Sequence, residues 1–437
     1  MPFEVEPASG LTLHEDGGPQ ELRFVYRHTS GALSYTVTYR FRPDDYLVEV
    51  EASIEGRDAN LITTDLGTGI AYNETRVVDD SRVLAYVVDH LREGIRAVTL
   101  SRVKEPRIEE GPLKWAALKS KYFVRALLPG DGSDERYLGG LLADPLDAPD
   151  QAHVRVTLAP DSRGVAHYRM FNGPMDHGRL AAIGADLEDV NPYGWRWLRP
   201  VIRPLVGIVL TIFNFAHDAL GLGYGWILIL FGVAMRVVLF PLNQKAMRAQ
   251  MRNMAVQPLL QEIQAKYKND PERLQKEMLK LYKEHGFNPF GGCLPMLLPW
   301  PVLITLFFVF QNTIELRGVP FLWLPSLSAP DPLHVLPVFL GLSMFLLQWI
   351  SMRSLDSVNP QMKMMMWMMP VMMTFIFWNF ASGLNLYYAT ANIATLPQQF
   401  WIARERRTMQ AQQARKQKVG ASHAEDGGER GKAHSRS

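Results

Sequence analysis

Five stretches of this chain, at about 225–242, 294–312, 334–352, 363–381 and 384–402, are apolar over roughly the 20 residues that a helix needs to cross a bilayer. One of them, Trp226 to Pro241, holds Arg236 inside the run. A guanidinium at that depth costs about 2.5–3.5 kcal/mol on insertion scales. Arg236 lies about seven residues, roughly 10 Å, from the end of the run that leads into Lys245 and Arg248. Two readings follow. The side chain snorkels to that end along its own stem, or it lines a wet cavity where a partner or substrate meets its charge.

Whole-chain averages conceal these spans. Charged residues make up 21% of the 437, and 46 Lys and Arg against 44 Asp and Glu leave a net charge of +2, which says nothing about nucleic acid. Charge placement is more informative. Residues 1–195 are polar and charge-balanced, whereas 200–402 hold nearly all the methionine and most of the phenylalanine and tryptophan. Cys293 is the single cysteine, so no intrachain disulfide or cysteine-based metal site can form. The histidines lack metal-site spacing, and a lone thiol with no histidine near it in sequence is a poor nucleophile.

The first half predicts β-structure. Tyr35, Val37, Tyr39 and Phe41 alternate with polar residues, Arg42-Pro-Asp-Asp45 supplies a turn, and Tyr46, Val48, Val50, Ala52 and Ile54 alternate again. Such a pattern predicts an antiparallel hairpin with one buried face. His153–Leu158 and Val165–Met170 are further strands, and many short strands favour a sandwich. A sandwich over 1–190 is therefore expected. Then comes a Gly/Pro/aromatic linker, with an amphipathic helix at the membrane interface, across 191–222. The helical membrane domain spans 223–402, and a basic, disordered tail covers 403–437.

Charge sets an orientation. The segment after the first span carries Lys245, Arg248, Arg252, Lys266, Lys268, Arg273, Lys276, Lys280 and Lys283, and the tail carries Arg404, Arg406, Arg407, Arg415, Lys416 and Lys418, while 313–333 has only Arg317. The positive-inside rule puts the first two in the cytoplasm. Five spans then put the β domain on the other side. Asp270-Pro271 offers a helix N-cap and first residue, Gly286 a stop, and Leu274, Met278 and Leu281 an apolar stripe. With Met247, Met251 and Met254 upstream, 243–286 predicts an antiparallel helical hairpin.

From Trp226 onward the chain resembles the YidC/Oxa/Alb family of membrane protein insertases, in its bacterial branch. The matching residues are Arg236 with Phe240-Pro241-Leu242, Gln257-Pro258, Leu281-Tyr282, Asn288-Pro-Phe-Gly-Gly-Cys-Leu-Pro295 and Glu315-Leu-Arg317. Further on come Leu327-Ser-Ala-Pro-Asp-Pro332, Leu336-Pro337, Gly341, Ser382-Gly-Leu384, Leu386-Tyr-Tyr388, Asn392 and Gln398-Gln399. Trp115 to Pro129 and Gly194-Trp195 resemble the end of the periplasmic domain in Gram-negative members, a β-supersandwich in that family. The sequence departs from the pattern at Pro299-Trp300-Pro301, where many members have Gln-Met-Pro, at Gly232, which replaces a frequent hydroxyl residue, and at Asn379 and Ala381.

The resemblance implies a truncated periplasmic supersandwich followed by five core helices around a hydrophilic groove with Arg236 inside. It also implies insertion and folding of nascent inner-membrane proteins, alone or beside the SecYEG translocon, without nucleotide, cofactor or catalytic residues. Gln311, Ser343, Gln348, Tyr387, Tyr388 and Asn392 are the candidate groove residues beside Arg236. Asn312, Asn385, Thr390 and Gln398 are other polar groups within the spans, and any of them can instead bond a neighbouring helix. The run Met362–Met373 fits apolar filler or a compliant substrate surface. The basic tail fits an inside anchor or a contact for the ribosome or anionic lipids. Family members begin with a signal anchor. The first thirty residues here hold no apolar run of that length, so an upstream in-frame extension is expected to encode one. Two competing classes remain: a polar-solute channel or transporter built around Arg236, and an enzyme on the sandwich, which would need paired carboxylates or a His/Glu pair in one cleft.

Overall fold

Period-2 alternation builds strands where the side chains demand it. The computed structural model describes the chain outside residues 1–2, 32, 57–60, 72–73, 75–76, 131–136, 149, 192–193, 195–196, 285–299, 353–359, 406–407 and 409–437. The motif 288–295 with Cys293, the start of the second span at 294–299, the helix stop at Gly286 and most of the basic tail lie outside the described residues, as do the side chains of Met247, Met251, Met254 and part of the Met362–Met373 run. The chain divides into two compact units, Met1–Arg199 with Gln311–Glu315, and Pro200–Phe310 with Leu316–Ser437.

In the first unit, twelve strands join in one hydrogen-bonded network. They are β1 Glu4–Glu6, β2 Gln20–Arg27, β3 Ser34–Phe41, β4 Leu47–Glu55, β5 Ile62–Gly67, β6 Ala85–His90, β7 Gly94–Thr99, β8 Arg107–Lys119, β9 Phe123–Pro129, β10 Leu138–Pro145, β11 Ala152–Leu158 and β12 Val165–Pro174. The expected hairpin is β3–β4, in the register Val37↔Ala52 and Tyr39↔Val50. Its turn uses Asp44 at φ 56°, and Asp45 Oδ1 accepts from the Leu47 N–H. The path runs β1-β2-β3-β4-β12-β9-β8-β10-β11-β5, and β6 and β7 branch from β8. Val37 and Val50 near one end share a buried cluster with Ile62 and Leu66 at the other. The network therefore folds over itself into two layers around one core, which is a sandwich.

The pivot is the 13-residue β8. Arg107–Leu113 pair with β10, Ala116–Lys119 pair with β9, and β6 takes the opposite edge from Leu113 to Lys119. Its second half is buried on both faces. Ala116 and Leu118 enter the sandwich core, while Trp115 and Ala117 enter a second core closed by Leu180 of helix His177–Ile183 and by Leu187 and Val190. Asp176 caps that helix by accepting from the Arg179 N–H, and Trp115 Nε1 donates to the Ala185 carbonyl at 3.0 Å. Double burial explains why β6, β8 and β9 escape an alternation test: strands covered on both sides become continuous apolar runs.

The second unit is helical. With α1 Val77–Ser81 and α2 His177–Ile183 numbered first, its helices are α3 Arg199–Asp218, α4 Tyr224–Lys266, α5 Pro271–Glu284, α6 Trp300–Asn312, α7 Val335–Met352, α8 Pro360–Phe377 and α9 over 382–405. Among the described residues, α3 and the first 22 residues of α4 are long and apolar enough to cross a membrane, and α6, α7 and α8 contain shorter apolar helices. The first apolar run ends near 242, but the helix does not: α4 continues unbroken to Lys266 and supplies the first arm of the helical pair. The exposed side of α3 is mixed: Ile202, Val206 and Phe213 are buried, while Ile208, Ile212 and Phe215 are exposed together with Arg203, Thr211, His217 and Asp218. The second arm starts as expected, with Asp270 Oδ1 accepting from the Arg273 N–H at 3.1 Å and Leu281 buried.

Two motifs meet in the segment before α7. Asp331 is fully buried and accepts from Trp323 Nε1 and the N–H groups of Leu333 and Leu336, which caps α7. The N–H groups of Ser382 and Gly383 donate to the carbonyls of Ala329 and Leu327 at 2.8 and 2.9 Å. The start of α9 is thereby tied to the cap. Glycines let helices close: a Cβ on Gly341 would lie 2.0 Å from Thr374 Oγ1, and one on Gly383 2.3 Å from the Phe310 ring.

Two measurements check this packing. Gly341→Ala should destabilise by about 1–3 kcal/mol through overpacking, and Thr374→Ala in the same chain should recover most of the loss, read as melting temperature in detergent. Burial also holds the Lys119 ammonium down at about 8, so the folded state opposes its protonation. Wild-type stability should rise from about pH 8 toward the ordinary lysine value of about 10.4 as the unfolded chain alone still binds the proton. Lys119→Met should stabilise by about 2–3 kcal/mol below pH 8, with the gap closing above it.

Candidate functional site

Helices α4 and α9 run side by side in the same direction. A Cβ on Gly232 would meet the Tyr387 carbonyl and Thr390 Cγ2 at 3.4 Å, ordinary contact distances. One turn on, Arg236 Nε donates to the carbonyl of Ala391 at 3.1 Å, which also accepts from Thr395 Oγ1 at 2.6 Å. Both helix pairings, Gly232 with Tyr387 and Arg236 with Ala391, join residues 155 positions apart.

Arg236 lines a small recess, of about 10 Å³, with Met235, Leu239, Val302, Leu303, Tyr387, Tyr388 and Ala391. Nε is committed to Ala391, and among the described residues neither terminal nitrogen has a hydrogen bond. The guanidinium is thus aimed by one bond and keeps a two-nitrogen fork for a carboxylate, a phosphate or water. The lining is mixed, with three polar side chains and five apolar residues.

Of the sequence candidates, Arg236, Tyr387 and Tyr388 come together. Ser343 and Asn392 meet each other instead: Asn392 Nδ2 donates to Ser343 Oγ at 3.0 Å, and Ser343 Oγ donates to the Leu340 carbonyl at 2.7 Å, which joins α9 to α7. Gln311, near the end of α6, and Gln348 on α7 are half-buried and do not line the recess. Sequence reasoning missed Ala391, whose contribution is a backbone carbonyl that any residue type would supply. Its position one turn after Tyr387 was the available signal.

A second recess, of about 180 Å³, lies on the sandwich among Thr38, Arg40, Glu49, Glu51, Gly130, His167 and Arg169. It holds a His/Glu pair of the kind an enzyme would need, with His167 Nδ1 3.7 Å from Glu51. Both side chains are open, at 39% and 56% exposure, and Arg40 is bonded to Glu21.

A model of the 60Kd inner membrane protein family matches residues 215–411, and a model of the YidC periplasmic domain matches residues 2–206. Membrane protein insertase YidC of Chlorobaculum parvum is 33% identical over 392 residues, covering 84% of this chain and 66% of the relative. The counterpart from Chlorobium luteolum is 32% identical over 429 residues, 90% and 70% of the two chains. That from Chloroherpeton thalassium is 31% identical over 428 residues, 92% and 68%. The chain therefore spans about two thirds of the length of these curated relatives. A crystal structure of an active YidC insertase with its first transmembrane domain resolved aligns at 20% identity and a TM-score of 0.39, over 87% of this chain and 76% of its own. On the sequence relatives, the chain belongs to the YidC family of membrane protein insertases.

Proposed function

We propose that this chain inserts nascent membrane proteins into the bacterial inner membrane and helps them fold, with the recess at Arg236 as the inner end of a hydrophilic groove. The observation that carries this reading is the Arg236 guanidinium, fixed through Nε to the Ala391 carbonyl within an apolar helix and lining a recess with Tyr387 and Tyr388. Five spans, formed from α4, α6, α7, α8 and α9, are the topology that we favour, with the sandwich in the periplasm and the arms beyond Lys245 and the basic tail in the cytoplasm. The lysines and arginines on those arms support it. In this reading α3 lies along the interface.

The mechanism is physical. A charged group held in place lowers the cost of bringing a short polar tail partway across. The substrate's apolar segment then leaves sideways into lipid, and its burial drives completion. SecYEG is a partner in this reading, and the basic tail reaches the ribosome or anionic lipids. A polar-solute channel or transporter at Arg236 is the competing reading. The apolar residues Met235, Leu239, Val302 and Leu303 around the recess favour a one-sided groove over it.

Opposite charges 4 Å apart at an effective dielectric of 20 attract by about 4 kcal/mol, comparable with the cost of one buried charge quoted above. In reconstituted vesicles with a protease-protection readout, Arg236→Lys should therefore keep insertion of single-span substrates with acidic tails. Arg236→Ala should impair it, Arg236→Glu should impair it most, and purely apolar tails should respond little. Equal insertion by the Ala and Lys variants would remove the electrostatic role, and solute flux abolished by Arg236→Ala with insertion intact would favour a channel.

The helical pair is expected to receive substrate near the lipid surface. Removing 243–286 should lower insertion more than removing 1–180, measured in cells where both variants accumulate to wild-type level. The reverse ranking would reassign that role.

A further inference from the structure

We propose that Glu315 is a proton-operated latch: while its carboxyl carries a proton, the segment Gln311–Glu315 stays docked in the first unit, and loss of that proton releases it. The segment continues α6, the helix that brings Val302 and Leu303 to the Arg236 recess, and runs into the turn Ile314–Leu316. Acidity thereby acts on the end of a recess-lining helix. The latch does not rest on the insertase reading.

The carboxyl lies in surroundings that disfavour a charge. Glu315 Oε1 and Oε2 are both buried, and neither accepts a hydrogen bond from another residue among those described. Thr313, in the same segment, is buried as well. A buried carboxylate without a donor or a counter-ion is far costlier than a buried carboxylic acid. Asp176, also in the first unit, makes the site worse by adding a like charge. It is held in place as the cap of α2, where its Oδ1 accepts the Arg179 N–H at 2.8 Å. His177, the next residue, has a buried Nδ1 without a partner, and the Arg179 guanidinium lies over the Tyr46 ring, 5.4 Å from its centroid. Arg317, two residues beyond Glu315, is exposed. None of these three counters the Asp176 charge at Glu315.

Burial pushes the Glu315 carboxyl up to about 7 from an ordinary 4.5; its own backbone N–H offsets part of the rise, and the Asp176 charge adds to it. Once ionised, the group has a short route to water. Glu315 is only half-buried as a residue, and Arg317 and Gly318 just beyond it are at the surface. A segment that turns outward here restores the hydration of the carboxylate. The sign follows from the two values. The docked carboxyl binds its proton up to about pH 7, whereas the released one loses it near 4.5. Docking is therefore strongest below pH 4.5, weakens as the pH rises to about 7 and stays constant above it.

Hydrogen exchange of the amides of 311–315 reads the docked fraction. It is measured on the full chain in lipid nanodiscs and corrected for the pH dependence of the chemical exchange step. Protection in the wild type should fall on the order of 100-fold between about pH 5 and pH 8. Glu315→Gln keeps the shape of the protonated group without a titrating proton, and should hold protection level across that range. Asp176→Asn still caps α2 and should make the fall smaller, because the like charge is gone while burial remains. Wild-type protection that does not change with pH would mean that water enters around the ionised carboxyl, and would overturn the latch. So would a Gln variant that falls in parallel with the wild type. If the Gln variant does not fold, the wild type and Asp176→Asn decide: equal falls in the two would place the proton on another group and overturn the proposal.

Discussion

A guanidinium within an apolar helix has to find an acceptor or water, and here it finds the backbone carbonyl of a neighbouring helix. The 3.1 Å bond from Arg236 Nε to Ala391 requires α4 and α9 to pack in contact, as they do one turn earlier, where a Cβ on Gly232 would stand 3.4 Å from the Tyr387 carbonyl. The approach brings Tyr387, Tyr388 and Arg236 together around one recess. Any side chain on α4 that separated the helices by a further ångström or two would leave Arg236 without its tether. A hydroxyl residue at position 232 would still fit, since a Cβ there stands at ordinary contact distance.

Other helix contacts support that pair at a distance. Asn392 is neighbour to Ala391 but turns to Ser343, so the face of α9 next to the recess is braced against α7. Gly341 lets α7 close on Thr374 of α8. The segment from Ser326 to Asp331 caps α7 and receives the first N–H groups of α9, so one short stretch sets the starts of both helices. In an apolar surrounding, such bonds between polar groups and such close glycine contacts are the available cohesion, because lipid-like environments give helices little hydrophobic reason to associate.

The sandwich solves a different problem. Its long strand β8 serves two pairings on one edge and a third on the other, so the sheet can turn without ending. Trp115, buried completely with its indole N–H bonded to the Ala185 carbonyl, anchors a second core on the outer face. The cost of this design is visible at Lys119, whose charge is disfavoured by burial beside that core.

The sequence by itself was enough for the division into a β half and a helical half, the β3–β4 hairpin, the Asp270 cap and the place of Arg236 within an apolar helix. Each of these is written in local terms: a period, a turn, a capping residue, a charge in an apolar run. Family resemblance added that motif residues such as Asp331 and Ser382 belong together, without saying how. Strands β6, β8 and β9 stayed hidden because burial on both faces erases alternation, and the unbroken course of α4 stayed hidden because a change from apolar to basic residues marks a change of surroundings, not of backbone. The tertiary structure alone decided which polar residues face Arg236. Tyr387, Tyr388, Ser343 and Asn392 are equivalent as polar residues in apolar runs; the packing of α9 between α4 and α7 sends the tyrosines to the recess and gives Asn392 to Ser343. Ala391 could be found in no other way, since its part is played by a carbonyl group common to every residue, and only the distance between two helices selects which carbonyl the guanidinium meets.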